Sequence, residues 1–254
     1  MPVPPQPGDS AGVPWAGRSF EPNPASDDDG SADARLLEAL LRFRARELGQ
    51  PDVLDALRTA RVLVPLVAGP GREGPGPAGH RIDTSQELSL VTVAAPDGRR
   101  VLPAFTSVAT LRAWDPAARP IPVDARRVAV AAAGEGTDLV VLDPASATEF
   151  ALRRGALRAL AMDEPWVAPA DDPRVAASVD RAVAGELDVL AARALPGDPD
   201  ARLSGPDLIV AVVLRGGLDG EAQQRVLARL AEDWRSEEAL AELVDSIAVS
   251  LVSV

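Results

Sequence analysis

Arg99 and Arg100, followed closely by Thr106 and Ser107, are the residues of this chain whose types and spacing could do chemistry. Two guanidiniums and two hydroxyls beside a helix N-terminus are donors for a small anion or a carboxylate, since planar forks and free N–H groups both favour negative charge. Adjacent strand residues point to opposite faces, so at least one arginine is exposed. Each also has a structural explanation. Charged side chains protect strand edges, and hydroxyls at 106 and 107 lie where they would cap a helix starting near Val108. Arg99, Arg100, Thr106 and Ser107 therefore stand as a candidate ligand-binding set with capping and edge protection as the alternative.

No catalytic or metal-binding constellation accompanies them. His80 is the only histidine, with Asp83, Thr84 and Ser85 nearby; the G-x-S-x-G elbow that would make a nucleophile of such a serine is absent. The glycine-rich run GPGREGPGPAGH at 69–80 has neither the spacing nor the lysine of a phosphate loop, and Pro70, Pro75 and Pro77 remove backbone donors such a loop needs. Asp138 and Asp143 stand at opposite ends of one expected strand, too far apart to share a cation, and Asp171 and Asp172 read as solvated acid in a linker. The chain holds no cysteine, lysine or tyrosine. Thiolate chemistry, cysteine-type zinc and iron–sulfur sites, Schiff bases and tyrosine acids are excluded with them. We expect no catalytic residues, no metal and no cofactor.

A formal net charge of -12 over 254 residues repels phosphates and anionic lipid, so neither nucleic acid nor membrane is an expected partner. The first ten residues, MPVPPQPGDS, lack the basic and apolar regions of a secretory signal. The longest aliphatic run, 208–214, is far short of the roughly 20 residues that span a bilayer. A cytoplasmic location is the default expectation.

The elements that must position the arginines and hydroxyls can be read around them. Residues 88–107, LSLVTVAAPDGRRVLPAFTS, describe two apolar runs joined by a Pro96-Asp97-Gly98 turn, a β-hairpin leading into a helix. Pro103 donates no ladder bond, so its strand is expected at an edge or bulged. Before the hairpin come helices at 34–49 and 52–59 and a strand from Arg61 to Val67. After it, Asp124 caps a helix ended by Gly134 and Gly136, residues 138–144 form a buried strand, and Asp143-Pro144 opens a helix running to Ala161. Beyond a proline- and acid-rich linker, Val175, Val179, Val183, Leu187 and Leu190 space one amphipathic helix. Residues 207–214 then suit a strand buried on both faces. Helices from Asp219 and Ser236 follow, and a final strand puts Ile247, Val249 and Leu251 on one buried face. The expected class is α+β, a mixed sheet with covering helices followed by a smaller C-terminal α+β domain. The boundaries are a disordered tail at 1–30, an N-terminal domain at 31–163, a linker at 164–173 and a C-terminal domain at 174–254. Trp15 and Phe20 are the aromatic residues of the tail.

RVLVPLV at 61–67, the hairpin entering LPAFTS, and DARRVAVAAAGEGTDLVVLDPAS at 124–146 together resemble the N-terminal domain of the SseB family, named for enhanced serine sensitivity. The resemblance runs from about Ala34 to Met162, and the last ninety or so residues are similar, less specifically, to that family's C-terminal domain. It implies a bacterial cytosolic protein and supplies no catalytic residue to carry over. Two functions fit: a non-enzymatic module binding a protein partner, which the lack of reactive residues favours, and a sensor of, or enzyme on, a small polar metabolite such as an amino acid.

Overall fold

A computed structural model gives the fold and describes residues 28–66, 73–75, 81–83, 92–94, 98–134, 136–137 and 139–252. His80, Thr84, Ser85, Pro96, Asp97, Asp138, Trp15 and Phe20 lie outside the described residues. The chain is α+β, with element order α1 (Ala34–Arg44), α2 (Gln50–Leu57), β1 (Arg61–Leu66), β2 (Glu73–Pro75), β3 (Arg81–Asp83), β4 (Val93–Ala94), β5 (Arg100–Ala104), α3 (Val108–Trp114), β6 (Arg119–Asp124), α4 (Ala125–Gly134), β7 (Val140–Leu142), β8 (Phe150–Leu152) and α5 (Arg154–Met162). After a 3-10 turn at Pro169–Asp171 come α6 (Pro173–Val183), β9 (Val189–Pro196), β10 (Leu208–Leu214), α7 (Gly220–Ser236), α8 (Glu238–Leu243) and β11 (Ile247–Val252).

In the first half a sheet of order β4-β5-β7-β8 pairs β5 in parallel with β7, and the β4/β5 and β7/β8 pairs are antiparallel. The antiparallel pair β1/β6 joins it through a bridge between Leu63 and Phe105. Of the hairpin expected at 88–107, the described residues show β4 paired antiparallel with β5. Its second strand, however, is interior rather than at an edge. Leu102 N–H donates to Leu139 and the Ala104 carbonyl accepts from Asp143, so both face β7. Pro103 lies between them and faces the other way, in the interval between Val101, paired with Val93, and Phe105, bridged to Leu63. A ladder that changes partner at this residue needs no N–H there, which is how a proline sits inside a sheet.

The segment after β7 also departs from expectation. Asp143-Pro144 does not start a helix: Asp143 is left-handed at φ 45°, the chain turns through 144–149, and β8 follows before α5. Three-residue strands such as FAL at 150–152 are too short for periodicity to register. In the Gly/Pro-rich stretch the described backbone of β2 pairs antiparallel with β3. The described end of the expected tail is anchored, since Arg61 pairs with Asp28 and donates to the Ser31 carbonyl, and the Gly30 carbonyl accepts from Val108.

The second half builds its own core from Val175, Val179, Leu208, Val210, Val212, Val226, Leu230, Trp234, Leu240 and Val244. Each such side chain contributes roughly 1.5–3 kcal/mol on burial. The sheet order is β11-β10-β9, with β10 antiparallel to β9 and parallel to β11. The helix expected at 175–190 stops at Val183: Gly185 follows, Leu187 and Leu190 are exposed although they keep helical spacing, and β9 begins at Val189. β10 is the central strand, yet only Leu208, Val210 and Val212 are fully buried along its apolar run, because helices cover one face. β11 alternates as expected, but the face holding Ile247, Val249 and Leu251 is not buried. These side chains share the helix-covered face with Leu208, Val210 and Val212, at the outer edge of the sheet.

Candidate functional site

The four candidate ligand residues have separate surroundings. Thr106 is buried: its N–H donates to Asp143 Oδ1 at 2.8 Å and its hydroxyl to Asp143 Oδ2 at 2.7 Å, where Thr148 also donates at 2.7 Å. Three donors satisfy a fully buried carboxylate, so Thr106 and Asp143 tie β5 to the β7 turn. Ser107 is the N-cap of α3, accepting from Thr110 N–H at 3.1 Å. Arg100 is exposed at the start of β5. Arg99 reaches the second half of the chain, donating to Asp245 at 2.6 Å. Of the four, only Arg99 lines the open cleft of about 520 Å³ that it shares with Leu203, Ser204, Pro206, Asp245 and Ser246.

Arg99 belongs to a buried ionic cluster centred on Arg153. The Arg153 guanidinium, only 8% exposed, donates to Asp198 at 2.9 Å, to Asp245 at 3.1 Å and to the Gly205 carbonyl at 2.7 Å, and its Nε lies 3.8 Å from Asp207. Burial alone would push the Asp198 carboxyl up, but hydrogen bonds from Arg153, the Arg202 and Leu203 N–H groups and the Ser204 hydroxyl outweigh it and hold it below the usual range. Asp207 goes the other way. Burial raises it, the Asp245 N–H and the charge of Arg153 oppose this, and the Asp245 and Asp198 charges add to the rise. Three aspartates against Arg153 and Arg99 leave an excess negative charge, and Asp207, which the Arg153 Nε approaches only to 3.8 Å, is the least compensated of them.

The cluster is formed by a loop that the sequence presents only as PGDPDARLSGP. Residues 197–206, between β9 and β10, lie against the first half. Ala201 and Leu203 complete its apolar clusters, and Ala151 N–H donates to the Ala201 carbonyl at 2.7 Å. Arg44 at the end of α1 and Arg46 just after it hold the same loop, donating to the Asp200 and Pro199 carbonyls. Its neck is closed by Gly197 and Gly205, where a Cβ at either would drive into opposing backbone. The signal was an arginine-rich helix face and an aspartate-rich loop, complementary in charge but far apart in sequence.

Asp245 leads directly into β11, and there a second hollow of about 360 Å³ opens, lined by Arg154, Trp234, Leu240, Val244, Ile247 and Val249. The outer edge of β11 pairs with no other strand among the described residues. Its side chains Ile247, Val249, Leu251 and Val252 are 37–45% exposed, and no residue of the strand is charged. The Trp234 indole N–H is buried without a hydrogen-bond partner beside this hollow. An edge of this kind offers main-chain donors and acceptors plus apolar pockets, which recognises an extended chain rather than a small polar molecule.

No helix among the described residues is long and apolar enough to cross a membrane. Residues 36–159 match the family model of the SseB protein N-terminal domain. No curated protein and no solved structure matches the chain.

Proposed function

We propose that this chain, which belongs to the SseB family by the domain at residues 36–159, is a non-enzymatic protein-interaction module whose docking element is β11. One observation carries the reading: an uncharged, apolar edge strand is exposed beside a hollow lined by Trp234, Leu240 and Val244. Edge strands are ordinarily blunted by charge, proline or bulges, and leaving one open serves strand addition. The separate cores support taking 31–163 and 174–254 as the two domains, and the family resemblance implies the bacterial cytoplasm. The test is binding by the full chain against a Val249→Lys variant. Protein binding that is lost in the variant is expected; a chain that associates with no protein, itself included, overturns the reading.

The metabolite reading draws on a different place, the 520 Å³ cleft at Arg99. A ligand there stabilises the folded state, so a rise in melting temperature with amino acids or related acids, abolished by Arg99→Met, is the observation that would favour it.

A further inference from the structure

We propose that the occupant of the β11 edge is a second copy of this chain, paired antiparallel across a two-fold axis at Val249, so that two three-stranded sheets become one. The proposal rests on reading β11 as the docking element and names its partner.

The register follows from the backbone. Leu208 N–H donates to the Ser246 carbonyl at 3.0 Å, so residues 246, 248, 250 and 252 direct their polar groups toward β10. Residues 247, 249 and 251 then direct theirs to the open edge. An antiparallel partner centred on Val249 makes Ile247 face Leu251 of the second copy, Val249 face Val249, and Leu251 face Ile247. About six main-chain hydrogen bonds form. Large side chains meet large ones on the helix-covered face, and Ala248 meets Ser250 on the other. The strand reads the same in size from either end, which a closed isologous pairing requires.

Charge is compatible along the same axis. No residue of β11 is charged, so no like charges are set opposite. The other sheet edge is unsuited to this: β9 carries Arg193 and ends in Pro196, and its register with β10 shifts at Val213/Leu214. A six-residue edge alone is smaller than the roughly 800 Å² per partner of a standard interface. The hollow beside Ile247 and Val249 must therefore also be filled, by the partner's side chains. The resulting dimer is weak and concentration-dependent. The net charge of -12 on each copy makes it weaker at low ionic strength.

Because the chain has no cysteine, single substitutions report the pairing directly. Ala248→Cys and Ser250→Cys sit in the close, non-hydrogen-bonded pair of this register. Mixed and mildly oxidised, the two variants are expected to give a disulfide between them. Sedimentation velocity of the unmodified chain at rising concentration is expected to show a monomer–dimer equilibrium, which Val249→Lys, placing two charges face to face, weakens at least 100-fold with its melting curve unchanged. Should that variant fail to fold, the mixed disulfide alone decides. A monomer at all concentrations with no crosslink, or self-crosslinking of Ser250→Cys without the mixed product, overturns the proposal. A chain that stays monomeric yet binds another protein through β11 sinks the self-pairing alone; one that binds nothing sinks the interaction module as well.

Discussion

Replacing Arg153 by methionine keeps the aliphatic stem and removes the charge that holds the two halves together. The guanidinium is 8% exposed and the Asp198 carboxylate 2%, so both partners have left water, and their hydrogen bonds at 2.9 Å and 3.1 Å to Asp198 and Asp245 are charge-assisted. Removing one member of such a pair leaves an uncompensated buried charge and costs about 3–5 kcal/mol. Here the variant leaves Asp198, Asp207 and Asp245 with Arg99 as the remaining cation of the cluster, and Arg99 is one-third exposed, so the upper part of that range applies at pH 7.5. The loss also depends on pH in a definite direction. Burial already raises the Asp207 carboxyl, and without Arg153 it loses the charge that opposes this rise. The native state then binds a proton at Asp207 more readily than the unfolded chain, and the variant regains stability as pH falls through that raised value. Urea unfolding followed by tryptophan fluorescence and far-UV circular dichroism measures both effects. A loss below about 1 kcal/mol at pH 7.5, or a defect that does not shrink by pH 5, would refute the reasoning, because the cluster would then be solvated rather than buried.

Asp207→Asn removes the carboxyl that burial raises and retains an oxygen for the Asp245 N–H, so it is expected to be neutral or stabilising at pH 7.5, with that advantage fading as pH falls through the raised Asp207 value. Asp198→Asn, at a carboxylate held low by its donors, is expected to cost about 2–4 kcal/mol above pH 5 and progressively less in acid; equal effects of the two substitutions in urea titrations would count against the assignment. Asp143→Ala strips the acceptor from Thr106 N–H and from the Thr106 and Thr148 hydroxyls and is expected to cost about 2–4 kcal/mol, whereas Thr106→Val, losing one bond, costs about 1–2 kcal/mol. Gly197→Ala forces a methyl against the Pro206 carbonyl at the neck of the 197–206 loop; a loss of about 1–3 kcal/mol, with faster proteolysis in that loop, is expected, and an unchanged melting curve would show that the neck opens freely.

Local rules carried the sequence reading where local chemistry decides. The Ser107 cap, the Asp124 cap and the β4–β5 hairpin are each specified by a few neighbouring residues, and the structure has all three. Neighbours say nothing about partners, and there the reading departs. Pro103 suggests an edge, but a strand that changes partner along its length can host it inside a sheet. Leu187 and Leu190 keep helical spacing past Gly185 although the chain has already turned toward β9. Thr106 and Ser107 look alike in sequence, and only the approach of Asp143, which is 37 positions away, separates a buried ligand of a carboxylate from an ordinary cap. The Arg153 cluster is the extreme case. Asp198, Asp207 and Asp245 are scattered aspartates in a chain with 38 acidic residues, and nothing but the docking of the loop makes them a site.

The ionic cluster and the exposed strand are mechanically connected. Asp245 accepts hydrogen bonds from Arg99 and Arg153, and its own N–H donates to Asp207. Its neighbour Ser246 accepts from the Asp207 and Leu208 N–H groups, and Ile247 begins β11. The start of the docking strand is therefore fixed by side chains of the first half of the chain, Arg99 and Arg153. An edge strand left to itself frays, and ordering it on association costs about 1–2 kcal/mol per residue in backbone entropy. Holding its start in place removes part of that cost before a partner arrives. On this argument Arg153→Met weakens association through β11 without touching the interface, and Asp207→Asn, which keeps the acceptor for Asp245, leaves it intact. Equal association by wild type and Arg153→Met, measured by sedimentation where both are folded, would mean that β11 is positioned by β10 alone.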